Sequence, residues 1–486
     1  MKNTKKEVLR NCIPAMVCMV ISGLNTIIDG LFIGRNIGED GLAAINIAWP
    51  VPAFILASGI GIGVGCGINY VSALGKKHEK EAKEFLKNAF VFLACAGILY
   101  SVFFEMTAPY LMKILGAEGK VHTLAVQYTR IIAAAALLQI FGAGLVPIVR
   151  NLNMPIQAMA ATISGVCSNF VFNTIFIFVL QMGMRGAALG TVLSQVVTSV
   201  IAGVSIKKSG ALSREDVEEK AENTGGLSCY KKVGNKILSD KFIEEKSEKI
   251  YSGNIEKIIK EGCEEEKRSG YIKKIFLGGI ASFGISLLPT WVLALTNYQC
   301  LSYGGSRTVA CYAVISYLVY PAQNMLTGIA DGVQPLFSMC AAKENTEKKE
   351  KQIKGVVTRL VVLVSILVML LLFAAAPVFH KVFSLSSENY ESFVQGLRIT
   401  AISLLFYGLN RLSITIMNGK GQHQEASIII YGEAIIYTPF FLFVLPKLFL
   451  VTGIWIEPVA AAVLTEAVCV IGQLRKSEKY EYTKAG

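Results

Sequence analysis

The sequence predicts an all-α integral membrane protein of twelve transmembrane helices, in two six-helix bundles related by a pseudo-twofold axis along the membrane normal. Three observations lead there. Residues 11–206 and 272–474 are dominated by apolar runs, and about 20 such residues cross a hydrocarbon core of roughly 30 Å. Between them, residues 209–270 carry 26 Lys, Arg, Asp or Glu and no comparable run. The second stretch also repeats the first at a near-constant spacing. The composition agrees: 53% hydrophobic with a mean hydropathy of +0.51 lies above the soluble range. The 44 glycines suit membrane helices whose backbones approach closely.

In order, the expected spans are 11–34, 45–74, 88–110, 124–149, 155–182 and 186–206, then 272–300, 308–340, 355–379, 394–418, 425–446 and 453–474. They divide the chain into an N-terminal bundle (1–208), a polar cytoplasmic insert (209–270) and a C-terminal bundle (271–486). The first apolar stretch runs past signal-peptide length to Asp29 and Gly34 with no small-residue cleavage site, so it reads as a span. With the N-terminus inside, 37 Lys and Arg fall on the cytoplasmic side against nine outside, and the short loops alone give 21 to nine. Orientation follows such counts. Both termini are therefore expected in the cytoplasm of a multi-pass membrane protein. The formal charge of +12 is then a topology signal, and its surface partner is anionic lipid rather than nucleic acid.

The repeat is visible residue by residue. Arg150-Asn-Leu-Asn-Met-Pro-Ile-Gln-Ala158 after span 4 parallels Asn418-Gly-Lys-Gly-Gln-His-Gln-Glu-Ala426 after span 10, at an offset of 268. Leu193-Ser-Gln195 parallels Leu464-Thr-Glu466 at 271. Spans 2 and 8 both carry glycine-rich stretches, Ser58-Gly-Ile-Gly-Ile-Gly63 and Thr327-Gly-Ile-Ala-Asp-Gly332. Six spans per half is an even number, so both halves enter the membrane alike and their symmetry axis follows its normal. Two such bundles can rock about a central cavity, which is the layout of a transporter.

Other classes lack their chemistry. The eleven cysteines are scattered, with Cys229 and Cys263 in the insert, and none has zinc or redox spacing. They read as small apolar residues in a reduced compartment. No phosphate-binding Gly-x-x-x-x-Gly-Lys loop argues for ATP. An intramembrane enzyme would need paired acids for a metal, a Ser/Lys dyad or His-Glu-x-x-His. None is present, and His78, His122, His380 and His423 lie apart at loops or span ends. No cofactor is expected.

Several segments together resemble the multidrug and toxic compound extrusion (MATE) transporters. They are Ile27-Ile-Asp29-Gly-Leu-Phe-Ile-Gly34 with Gly41-Leu-Ala-Ala44, and Asn169-Phe-Val-Phe-Asn173-Thr-Ile-Phe-Ile-Phe178. Gly183-Met-Arg-Gly-Ala-Ala-Leu-Gly-Thr191 and Gly332-Val-Gln-Pro-Leu336 complete the set. The resemblance covers nearly all of the chain except the insert and points to the DinF-like and MepA-like branch. It implies export of lipophilic organic cations and other amphipathic drugs, driven by inward movement of protons or sodium ions. It also implies that Asp29, Asn169 and Thr191 match the branch's ion-coupling positions. At the fourth position the branch usually has a second aspartate, where this chain has Asn173. Pro14 matches a proline associated with a bend of the first helix coupled to the acid.

The residue types suit that role. A carboxylate inside a membrane costs at least about 2.5 kcal/mol, which marks Asp29 as functional by default. The alternative places Asp29 near the outer end of span 1, meeting headgroups or capping a neighbour. Asn169 and Asn173 are four apart on one helical face and can offer amide oxygens to a cation or bond Asp29. They can equally serve as interhelical glue, and Thr191 can bond its own backbone. One carboxylate instead of two holds sodium less well, since hard cations prefer charged oxygen ligands. Protons are therefore favoured over sodium as the coupling ion, and any sodium would sit at Asp29, Asn169, Asn173 and Thr191.

In the second half Asp331, Arg411, Glu433 and Glu466 are candidates for a substrate cavity, where an acid supplies charge and aromatic rings supply contact to a lipophilic cation. Against this stands a structural ion pair of Arg411 with one of the acids. In the insert, Phe242, Ile243, Ile250, Ile255, Ile258 and Ile259 give a broken helical period, fitting either a surface helix or a tolerated disordered insertion. The leading expectation is a monomeric antiporter exporting cationic drugs. The runner-up is a flippase of lipid-linked oligosaccharide from the same superfamily, whose pyrophosphate cargo calls for a cationic cavity.

Overall fold

A computed structural model describes residues 2–211, 251–343, 346–382 and 390–485, and among these every regular element is helical. Among the described residues ten helices are long and apolar enough to cross a membrane. An eleventh span is the bent pair Gly119–Ala134 and Ala136–Asn151. The twelfth, 306–342, continues the helix Tyr251–Ala342 beyond a break at Gly305, whose φ of 65° glycine adopts freely. It falls short on composition because Asn324, Thr327, Asp331 and Gln334 are spaced along it, and it packs against span 1 through Gly328 and Gly332. With it, the twelve-helix, two-bundle plan is complete.

The helices exceed the expected limits: span 1 is Lys2–Asn36, span 3 Glu79–Ile114 and span 9 Glu347–Val382. Span 4 departs from expectation in kind. It is not one rod but turns by 64° at Ala135, where no glycine or proline announces a break. Side chains take up the carbonyls that the break frees. Gln139 Nε2 donates to Ile132 O at 2.8 Å, and Ser101 Oγ from span 3 donates to Ala133 O at 2.8 Å. Spans 5 and 11 each contain a π-helical segment, Thr174–Val179 directly after the candidate Asn173 and Glu433–Tyr437 beginning at the candidate Glu433. In the insert, Phe242, Ile243 and Ile250 lie outside the described residues, while Ile255, Ile258 and Ile259 lie in helix continuous with span 7.

Among the described residues two large apolar cores result, with a smaller third around Ile414, Met417 and Ile430. The first joins spans 1 to 6 through residues such as Ile55, Leu93, Ile140 and Ala187. The second joins spans 8 to 12 through Leu326, Val361, Leu404 and Trp455. The lobes exchange their leading ends: Val8 and Cys12 of span 1 belong to the second core, and Ile275 of span 7 to the first. This exchange occurs at the face that carries the start of span 1 and the end of span 12, here called the terminal face.

Glycines make the exchange sterically feasible. A Cβ on Gly65 would run into the Ile275 carbonyl, and one on Gly279 into that of Gly61. In the other lobe a Cβ on Gly328 would lie 2.7 Å from Met16 Cα, and one on Gly332 2.7 Å from Asn11 O. Gly61 and Gly65 map onto Gly328 and Gly332 at a constant offset of 267. The two seams, span 2 on span 7 and span 8 on span 1, are thus copies of one arrangement.

Candidate functional site

In the first lobe the structure brings Asp29, Asn169 and Asn173 into one hydrogen-bonded chain. Asn173 Nδ2 donates to Asp29 Oδ1 at 2.7 Å and to Asn169 Oδ1 at 3.1 Å. Asn25, one turn before the acid, donates to Asp29 Oδ2 at 3.2 Å. Among the described residues, two neutral amides hold this carboxylate and no cationic side chain pairs with it. The amide oxygens of Asn25 and Asn173 are buried without a hydrogen-bond partner there. The cluster therefore combines one acid with unsatisfied oxygens, a donor set that accepts a proton at the acid or fits a hard monovalent cation.

The surrounding elements explain why these atoms meet. Asn169 and Asn173 close the α-helical part of span 5, and the π segment beginning at Thr174 widens the helix just beyond them. Such segments recur at functional positions. Span 6 lies against Asn173 because Gly190 has no side chain: a Cβ there would meet Asn173 Oδ1. On the other side Phe32 packs on Phe170 at 5.3 Å and edge-on to Phe178 at 5.2 Å, fixing span 1 to span 5 one turn past the acid.

Thr191 is adjacent, but its hydroxyl donates to its own helix at Ala187 O, 3.0 Å away. Tyr128 of span 4, 2% exposed, faces Thr191 and lies within electrostatic reach of Asp29. Sequence reasoning missed Asn25, Tyr128 and Gly190. Asn25 was open to it, standing four residues from Asp29 as Asn169 stands from Asn173. The other two come from distant helices. Pro14 lies inside the continuous helix Lys2–Asn36, near the glycine seam rather than beside the acid.

In the second lobe the four candidates do not converge on one point. Arg411 Nη2 contacts Glu433 Oε2 at 3.4 Å and its guanidinium lies 4.7 Å from the Tyr407 ring centre. Tyr407 Oη in turn lies 3.3 Å from Thr327 Oγ1. Asp331 pairs elsewhere, with Arg150 of the first lobe at 3.2 Å. Glu466 is partly buried, with Oε2 lacking a hydrogen-bond partner among the described residues and Lys354 as the cation acting on it. Glu457, passed over in the sequence, is 2% exposed beside Thr438. An acid in the apolar run Val451–Leu464 was the signal for it.

A family model described as MatE matches residues 14–175 and again 281–442, once in each lobe. The chain belongs to the MatE family. Its members are membrane transporters and not enzymes, so this is a multi-pass membrane transporter. The Multidrug export protein MepA of Staphylococcus aureus (strain MSSA476) is 24% identical over 479 residues, covering 96% of this chain and 92% of its own. A multidrug resistance MATE transporter of the MOP superfamily, solved in an outward-facing conformation, superposes with a TM-score of 0.81 at 20% identity, covering 98% of this chain and 97% of its own. A MOP superfamily transporter from Pyrococcus furiosus superposes with a TM-score of 0.79 at 21% identity, covering 98% and 96%; its binding pocket, of reverse polarity, suggests a different function. Likeness of fold therefore leaves the cargo to be argued from the site.

Proposed function

We propose that this MatE transporter exports lipophilic cationic and other amphipathic drugs from a bacterial cell by antiport, alternating access between its two lobes as a monomer. The observation that carries this reading is Asp29, a carboxylate within a span held only by the amides of Asn25 and Asn173 among the described residues. A group so placed is charged when water or a cation reaches it and neutral once a proton has bound. That cycle couples an ion gradient to a change of state. The proton is the favoured coupling ion, because Asn173 supplies an amide where a second carboxylate would hold sodium more firmly.

The reading places both termini in the cytoplasm, so the seams of the terminal face close the protein toward the cytoplasm and leave its site open outward. Cargo would be met between the lobes by Glu433 and Glu466, with Arg411 limiting the negative charge through its pair with Glu433. The flippase alternative needs several basic groups in the cavity, whereas the candidates there are Glu433, Glu466 and one arginine that already touches Glu433, which weighs against pyrophosphate cargo. The test is export of a fluorescent lipophilic cation from proteoliposomes under a proton gradient and, separately, a sodium gradient. The proton gradient should drive export, and Asp29→Asn should reduce it at least about a hundredfold with normal folding, since the amide cannot cycle its charge. Undiminished export by the variant overturns the assignment of Asp29, and failure under both gradients overturns drug antiport.

A further inference from the structure

The terminal face is closed by two glycine seams of the same design, yet only one carries a largely buried charge pair among the described residues. Arg150, at the end of span 4, reaches across the lobe boundary to Asp331 in span 8, with Nη2 and Oδ2 3.2 Å apart. The arginine side chain is 6% exposed and the aspartate 20%. The other ion pairs crossing this boundary are far wetter: Lys349 with Glu7 at 50% and 31%, and Lys274 with Glu81 at 58% and 32%. Asp331 corresponds to Val64 at the offset of 267 that relates the seam glycines, and Arg150 to Asn418 at the 268 of the segment after spans 4 and 10, neither of them charged. The second seam is bridged instead by a neutral group, Asn69 Nδ2 donating to Gly65 O at 2.8 Å and Lys274 O at 3.1 Å. The charge pair is a departure from the repeat.

Its position makes it dependent on closure. Asp331 immediately precedes Gly332, whose bare backbone lies against Asn11 and Cys12 of span 1. Separation of span 8 from span 1 would draw Asp331 away from Arg150 and admit water to both. Two ions taken out of water lose hydration, and their attraction offsets that loss only while they remain in contact. The contact is a single one, and Arg150 Nε is buried without a hydrogen-bond partner among the described residues. A forked double bond would hold harder. One incomplete bond suits a contact that is broken and remade.

We propose that the Arg150–Asp331 pair is a releasable lock on the terminal face, holding the lobes closed there in one state of the cycle and parting in the other. Either residue alone, left without its partner, is an unpaired charge largely shielded from water in the closed state and solvated in the open one. Removing either should therefore shift the protein toward opening.

A native thiol reports the event. Cys12 is 1% exposed, with Sγ 3.5 Å from Ile329 O inside the seam. The full chain in proteoliposomes would be treated with a membrane-impermeant maleimide and the rate of Cys12 modification followed by peptide mapping. Asp331→Asn and Arg150→Gln should each raise that rate about tenfold or more. The exchanged pair, Arg150→Asp with Asp331→Arg, should bring it back to within about threefold of the natural protein, and is the deciding variant should a single substitution fail to fold. Lys274→Gln, which breaks an exposed pair across the same boundary, should leave it unchanged. Cys12 rates unaltered in folded single variants, or an exchanged pair as reactive as the singles, overturn the lock. The readout needs neither cargo nor gradient, so its outcome is independent of the drug-antiport reading.

Discussion

Gly190 has a large part in the proposed coupling site although it carries no functional group. Its missing side chain lets Asn173 approach span 6 while donating to Asp29. Gly190→Ala is expected to turn the Asn173 amide aside, because the obstructed atom is the end of a side chain and can move at little cost. Stability should fall by only about 1 kcal/mol, whereas proton-driven export should fall about tenfold through loss of the bond to Asp29. Comparing export with thermal unfolding for that variant separates the two effects, and normal export would deny Asn173 its role. At this scale the sequence was only partly legible. Asp29, Asn169 and Asn173 stood out because polar residues in apolar spans are conspicuous and a spacing of four shares a helical face. Gly190 and Tyr128 reach the site through packing of separate helices, which no local pattern records. The partner of Asp331 was hidden for the same reason, since Arg150 lies 181 residues away.

Helices show a similar division between what local pattern dictates and what packing decides. The positions of the spans followed from apolar runs of bilayer length, and their pairing between halves from the repeat. The bend in span 4 did not, because Ala135 favours helix and no breaker stands near it. What permits the bend is the supply of donors for the freed carbonyls, Gln139 from the same span and Ser101 from span 3. Gln139→Leu removes the donor to Ile132 O. An unsatisfied buried carbonyl costs about 1–3 kcal/mol, and a lowered unfolding temperature with unchanged helical content is the expected result. Unchanged stability would mean that another group takes over the carbonyl. The π segments at Thr174 and Glu433 were equally invisible, being a change in helical winding that apolar periodicity does not register.

For the whole molecule, the proposed alternation requires both seams to open at once, because they are related by the same axis. Gly75 of the first lobe and Ala342 of the second lie side by side at the terminal face. A disulfide between Gly75→Cys and Ala342→Cys, with a slight retreat of the two backbones to reach bonding geometry, should arrest export. Reduction should restore it. Export undiminished by a fully formed cross-link would show that this face does not open during the cycle. The two-lobe plan was legible from the two apolar stretches, the charged insert between them and the repeat. The exchange of leading ends was not, since an apolar Val8 or Ile275 fits either core equally well by composition.

That exchange bears on how the protein is made. A chain synthesised from its N-terminus inserts span 1 long before span 8 exists. Val8 and Cys12 then wait without the core they finally join, and the bare backbone of Gly61 and Gly65 faces lipid until span 7 arrives. Neither half is finished when its own six helices are in place. Biogenesis ends with the docking of two inserted halves, and a defect in a seam would appear first as a quality-control failure of newly made protein.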